Sequence, residues 1–473
     1  MNRRNVLQTL GAFPFLHARL HGQSTRPNIL FLMTDEHRHD AVGYTNAAVK
    51  TPHLDALAKD GIAFTNAYST SPSCVPARAA IYTGRYPSQC GAPTYITYLP
   101  SHETTFMSRL RAAGYHTAAI GKQHFGQSTV ARGYDYEDLI DADGAERNDS
   151  YTRHLRSAGV KAAQLREPAG RFAFRWNGDP RLHLDSWIGE RAVEYLRDKC
   201  PRGIPWFLTV SFHGPHQPFD GLGLPSDRQY KDVALPRPVA TAADLAGKPP
   251  HFADIAGRSG NLSPQEIGAI RRAYYSKITW IDGKIGELIA TLRGRGEYDN
   301  TLIVFTADHG DYMGDYGMVY KAQYVSESLM RIPMLVKPPV AGFQPRTEPA
   351  FVQNFDIAPT SLAAAGLPIP ADMSARDLSP FWKDAGAARR TLCFLDAHGI
   401  QGVRDTRWKL VHYRDRDYGE LYDLAADPHE RRNLWDMPSA QPQKLRLRQE
   451  LLNHLLAILP RSEAQWNKGA PSI

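Results

Sequence analysis

The 473-residue chain has little of what marks several protein classes. It has four cysteines, too few for a disulfide framework at this length, and none lies in a CxxC or Cys/His spacing that would build a zinc module. No run of about 18 or more apolar residues occurs, so no membrane span is expected. Internal repeats are absent, and no basic face interleaved with aromatics suggests nucleic-acid binding. The net charge of +7 does not change that reading. Arg3, Arg4, Arg19 and Arg26 lie in a leader, residues 1–26, that carries no acidic residue, and removing its +4 leaves +3. What is present is a hydrophobic fraction of 42%, enough for a sizeable core and too much for a disordered chain.

The leader pairs Arg3-Arg4 with a short, moderately apolar stretch from Val6 to Leu16. A basic start followed by such a stretch has the grammar of an export signal of the twin-arginine type, which would place the mature protein in the periplasm or outside the cell.

From Pro27 the pattern changes. Asn28–Met33 is an unbroken apolar run, as expected of a strand buried on both faces, and similar runs recur at His116–Gly121, Trp206–Phe212, Leu302–Thr306 and Ile332–Val336. Helical stretches lie between them, among them Pro52–Ala58 and a long helix opened by the capping box Ser263-Pro264-Gln265-Glu266. The alternation predicts an α/β fold with a large, mostly parallel sheet between helices. Breakers at Gly366–Pro370 mark a boundary between a catalytic domain, 27–366, and a smaller C-terminal α+β unit, 367–473. That unit should hold short antiparallel strands at Gly402–Tyr413 and Gly419–Asp423 and a closing helix, Leu445–Leu459, with Leu447, Leu451, Leu452, Leu455 and Ile458 on one side. Asp141–Pro180 and Pro215–Pro250 read as long insertions that shape a pocket.

The polar residues stand where such a sheet places its chemistry, outside the carboxyl ends of strands. Asp35-Glu36 follows the first run, Lys122 and His124 the second, His213 and His216 the third, and Asp308-His309 the fourth. His213 reads as an ordinary loop histidine, His37 and His39 as groups supporting the site, and His183 and Trp187 as pocket lining or core.

The segment Cys74-Val75-Pro76-Ala77-Arg78, followed by Ala79–Tyr82 and Thr83-Gly84, resembles the signature C-x-P-x-R-x4-T-G of the sulfatase family. The resemblance extends over nearly the whole chain after the leader. Gly121–Gly126 is similar to the family's G-K-x-H-x-G, Pro215–Pro218 to its P-H-x-P, and Thr306–Asp311 to its second metal loop. Lys321, Glu327, Arg331 and Pro333 fit its K…E…R-x-P stretch, and Leu421–Leu424, Asp427-Pro428 and Asn433-Leu434 its C-terminal signature.

The resemblance implies an alkaline-phosphatase-like fold and a sulfuric ester hydrolase in which Cys74 is converted to formylglycine by a formylglycine-generating enzyme. An aldehyde hydrate suits the chemistry: one hydroxyl attacks sulfur, and deprotonation of the other expels sulfate. Cys90, Cys200 and Cys393 lack such surroundings and read as buried apolar residues. The resemblance further implies metal ligation by Asp35, Glu36, Asp308, His309 and the modified Cys74, with Glu36 standing where Asp or Gln is more usual. Carboxylate oxygens favour calcium, and the imidazole leaves manganese as the alternative. Arg78 and Lys122 are expected on the hydrate and the sulfate oxygens, and His124 as the base that releases sulfate. His216 and Lys321 are expected at the sulfate and leaving oxygen, with His216 the proton donor. The expected substrate is a sulfate monoester of a carbohydrate or small metabolite. The alternative is a phosphonate monoester or phosphodiester, turned over by relatives that share the modified residue.

Overall fold

The computed structural model describes residues 26–125, 132–140, 149–321, 324–384 and 386–459, so nearly all of the leader lies outside the described residues. The strands in chain order are β1 Asn28–Asp35, β2 Ile62–Tyr68, β3 His116–Lys122, β4 Tyr136–Ile140, β5 Arg166–Pro168, β6 Ala173–Trp176, β7 Trp206–Pro215, β8 Phe219–Leu222, β9 Thr301–Ala307, β10 Met334–Lys337, β11 Arg346–Gln353, β12 Cys393–Ala397, β13 Ile400–Arg404, β14 Trp408–Tyr413 and β15 Gly419–Asp423.

Eight of them form one sheet in the order β11-β2-β10-β9-β1-β7-β3-β4. The apolar runs become its centre: every residue of β1, β7 and β9 is buried, as continuous hydrophobicity demands of strands covered on both faces. All pairings are parallel except those of β10, which runs antiparallel between β2 and β9. The run Ile332–Val336 therefore contributes a shorter strand than expected. Pro333 has no N–H for a ladder, and pairing with both neighbours begins at Met334.

Helix Pro264–Gly294, the longest of the fold, has its predicted capping box. Ser263 Oγ accepts the Glu266 N–H at 3.2 Å, and Glu266 Oε2 accepts the Ser263 N–H at 2.8 Å. Its buried side packs on helices Pro52–Ala58 and Leu184–Glu194.

The two insertions meet. The first folds into helix Ser150–Ser157 and strands β5 and β6; the second supplies β8, which lies parallel to β6 in a three-stranded sheet. Toward the C-terminus β12–β15 form a four-stranded antiparallel meander, covered by helix Gln441–Ile458. Leu447 and Leu451 of this helix are buried and Leu455 packs beside them, whereas Leu452, expected on the same side, is 50% exposed.

Candidate active site

The site sits at the carboxyl ends of β1, β3, β7 and β9, over the N-terminus of helix Cys74–Thr83. Ser73 is extended and Cys74 is the first helical residue. Pro76 falls in the first turn, where no N–H is needed. The sulfur thus stands where free amides and the helix dipole favour a negative oxygen. Gly84 closes the helix in the left-handed region at φ 70°.

Beneath Cys74 the charges interlock. Arg78 Nε donates to Asp308 Oδ2 at 2.8 Å and Nη2 to Asp35 Oδ2 at 2.9 Å, while Nη1 donates to the Lys122 carbonyl at 2.7 Å and Ser211 Oγ at 3.0 Å. Lys122 Nζ lies 2.6 Å from Asp35 Oδ2 and 3.9 Å from Cys74 Sγ. His309 Nε2 is 3.2 Å and Asp35 Oδ1 3.6 Å from the same sulfur. Arg78, Asp35 and Asp308 are wholly buried. Burial would raise the Asp35 carboxyl, but Lys122, His216 and Arg78 outweigh it and hold the group well below the usual range. Asp308, buried and beside Asp35, is raised. Burial also opposes ionisation of Cys74, as does Asp35, yet Lys122, Lys321 and His309 carry its thiol well below the ordinary value.

Glu36 occupies the left-handed region at φ 64°, a strained place for a non-glycine. Tyr274 holds it there, accepting the Arg38 N–H and donating to the Glu36 carbonyl. The Glu36 carboxylate lies 3.3 Å from Lys321 Nζ and 3.4 Å from His216 Nε2. Burial, only partly offset by Lys321 and reinforced by Asp311, pushes it up to about 8.

The imidazoles are oriented by backbone carbonyls. His309 Nδ1–H donates to the Gly310 oxygen at 2.9 Å, which aims Nε2 at the cluster. His216 Nδ1–H donates to the Gln217 oxygen at 2.7 Å. Burial, with Lys321 and Lys122 nearby, lowers His216 to about 4. Lys321, opposed by burial but surrounded by Cys74, Glu36 and Asp35, is held firmly cationic.

Above this floor opens a cavity of about 1680 Å³, lined by Cys74, Lys122, His124, His213, His216 and Lys321 and, farther out, by the first insertion. His124 reaches it through a left-handed backbone at φ 49°. Nearby Gly121, at φ 91°, admits no side chain: a Cβ there would lie 2.0 Å from the Ser211 carbonyl oxygen.

All ten predicted site residues therefore converge, with one change of place. Arg78 is committed to both aspartates, to Ser211 and to a carbonyl, and none of these hydrogen bonds goes to Cys74. His37 bonds Thr34 and the Ala41 carbonyl and packs edge-on to Phe305, as a structural group. Trp187 is core, against Tyr151, and His183 bonds Asp220.

His213 stands elsewhere than expected, and Asp311, Asp185 and Lys277 went unread. His213 is no loop residue: it lies within β7, two residues before its end, lines the cavity and packs 4.9 Å from the His216 ring. Asp311 stood inside the quoted Thr306–Asp311 motif, and burial raises its carboxyl to about 6. Asp185 Oδ1 accepts the N–H groups of His213 and Gly214 at 3.0 and 2.9 Å, while Lys277, 2.9 Å from Asp220, donates to the His216 carbonyl at 3.1 Å. This buried network carries the histidine loop.

The donor set suits a divalent cation. Donor atoms of Asp35, Cys74, Asp308 and His309 lie within 4.8 Å of one another, and so do those of Asp35, Glu36 and His216. Glu36 Oε1 and Asp311 Oδ2 are buried acceptors that receive no hydrogen bond from the described residues. Three crowded carboxylates, one of them pushed up to about 8, are what a cation would relieve.

Comparison with known proteins agrees with this geometry. The Sulfatase family profile matches residues 27–367, and a profile described as N-sulphoglucosamine sulphohydrolase, C-terminal, matches residues 314–456. An ulvan-active sulfatase of Formosa agariphila is 30% identical over 88% of this chain and 78% of its own. A choline-sulfatase of Rhizobium meliloti is 30% identical over 87% and 83%. The crystal structure of a phosphonate monoester hydrolase of Agrobacterium radiobacter superposes with a TM-score of 0.82 at 24% identity, covering 93% of this chain and 97% of that one, a likeness of fold.

Proposed function

The chain belongs to the sulfatase family and is a sulfuric ester hydrolase, and from that premise we propose that it cleaves a sulfate monoester of a carbohydrate or small metabolite with formylglycine made from Cys74. The observation that carries this reading is the position of Cys74, first residue of a buried helix, ringed by Asp35, Lys122 and His309 at the floor of an open cavity.

Lys122 and Lys321 bind the anionic ester, and their charge grows in value in a buried site. Lys321, held cationic, and His216, both beside the Glu36 carboxylate, are the proposed contacts of the sulfate and leaving oxygen, with His216 the proton donor. His124 is the proposed base for sulfate release. Arg78 acts on the reaction through Asp35 and Asp308, fixing both carboxylates by direct hydrogen bonds. Asp35, Glu36, Asp308 and His309, with the modified Cys74, would hold calcium, with manganese as the alternative. When bound, the cation supplies a Lewis acid for the sulfate oxygens.

Cys74 is only 1% exposed, so the formylglycine-generating enzyme must meet this segment before it folds. We also propose residues 1–26 as an export signal, 27–366 as the catalytic domain and 367–473 as a C-terminal subdomain. No described helix is long and apolar enough to cross a membrane.

Mass spectrometry of the Cys74 peptide, from protein made in a converting host, tests the reading together with turnover of an aryl sulfate and an aryl phosphonate. An aldehyde at Cys74 and preference for the sulfate are expected. A plain thiol with full activity would overturn the nucleophile, and preference for the phosphonate by orders of magnitude would overturn the substrate.

A further inference from the structure

The cavity above Cys74 is lined by charge of one sign. Lys122, Arg156, Lys161, Arg166 and Lys321 face it, and no aspartate or glutamate does among the described residues. Lys122 and Lys321 answer the ester sulfate. The other three lie together on the first insertion: Arg156 in the last turn of helix Ser150–Ser157, Lys161 just beyond it, Arg166 at the start of β5.

These three are not alike. Arg166 is spent on structure, its Nε 2.6 Å from Asp220 Oδ2 and its guanidinium over the Trp176 ring. Arg156 and Lys161 are exposed, and neither forms an ion pair with a described residue. Two cations with no ion-pair partner among the described residues, over a cavity that no described acid lines, make a positive field that an anion would relieve. Tyr95 and Phe174, which line the same cavity and are not buried, offer rings of the kind a sugar ring packs against.

We propose that Arg156 and Lys161 form a subsite for a second anion on the leaving group, a carboxylate or a further sulfate. The preferred substrate is then a sulfated acidic saccharide, and a cationic alcohol is a poor leaving group here. The subsite rests on the sulfatase reading for its ester but can be tested apart from it.

Binding is measured by calorimetry to the Cys74→Ala protein, so turnover is not required. One arm compares a monosulfated disaccharide bearing a uronate with its methyl ester; the other compares a disulfated with a monosulfated disaccharide. A preference of about tenfold for the more anionic ligand is expected in at least one arm, weakening with salt. The arm that shows it identifies the anion. In Arg156→Gln/Lys161→Gln, both surface changes, that preference should vanish, while kcat/KM of the otherwise native enzyme for an aryl sulfate stays within about twofold. Equal binding in both arms, or preference surviving the double substitution, would overturn the subsite. Failure to turn over the aryl sulfate beside intact anion preference would instead count against the sulfatase reading alone.

Discussion

The floor of the cavity and its outer wall are held by opposite means. On the floor the polar groups hold one another: Arg78 reaches Asp35 and Asp308, Lys122 reaches Asp35, and backbone carbonyls orient His216 and His309. The wall rests on an eight-residue helix with Tyr151 and Leu155 buried, and two of its cations, Arg156 and Lys161, form no ion pair with a described residue. Chemistry needs atoms fixed to fractions of an ångström in a dry setting, and strand ends supply that. Discrimination among leaving groups needs a surface that can change without unmaking the floor, and an insertion supplies that.

Four substitutions would break or sharpen this contrast. Cys74→Ala should abolish aryl sulfate turnover, by at least about a thousandfold, with the melting temperature nearly unchanged; near-normal turnover would refute the nucleophile. Arg78→Met should cost both activity and about 3–5 kcal/mol of stability, because two wholly buried carboxylates lose their shared partner. Thermal unfolding with and without added calcium checks this, since a cation at the carboxylates should recover part of the loss. Asp185→Ala should lower kcat by about tenfold or more with a smaller effect on KM, as the backbone of His213 and Gly214 loses its acceptor. A matching alteration of the pH–rate profile would separate this positioning role from simple destabilisation. Asp149→Ala, on the wall, removes the side chain that accepts the Thr152 N–H at 2.7 Å and should weaken that helix by about 1 kcal/mol. It should raise KM for an extended anionic saccharide and leave aryl sulfate kinetics unchanged; equal effects on both substrates would mean that wall and floor are coupled.

Much of this was legible before any coordinates. The apolar runs are the central strands because burial on both faces requires continuous hydrophobicity, and the Cys74–Gly84 signature marks its helix because proline and glycine occupy positions where their backbones are useful. Other parts were hidden for physical reasons. β11 carries Pro349 and a bulge between Glu348 and Phe351, tolerable on the edge strand it forms but unlike a buried run. β6 is four residues long and becomes a strand through its partners, one of them β8, where Ala173 meets Phe219. His213 has the residue type of a site histidine but lies outside the quoted motif, and only the course of β7 brings it to the cavity.

The sequence by itself determined which chemical groups gather at the carboxyl edge of the sheet, because strand runs and breakers are local properties of the chain. The tertiary structure alone decided what each group can do there. Arg78 meets its aspartates across 43 and 230 positions, and those bonds clamp both carboxylates beneath Cys74. Burial and neighbouring cations lower His216, while neighbouring anions hold Lys321 cationic. Protonation and pairing are set by burial and by charges close in space, and neither is written along the chain.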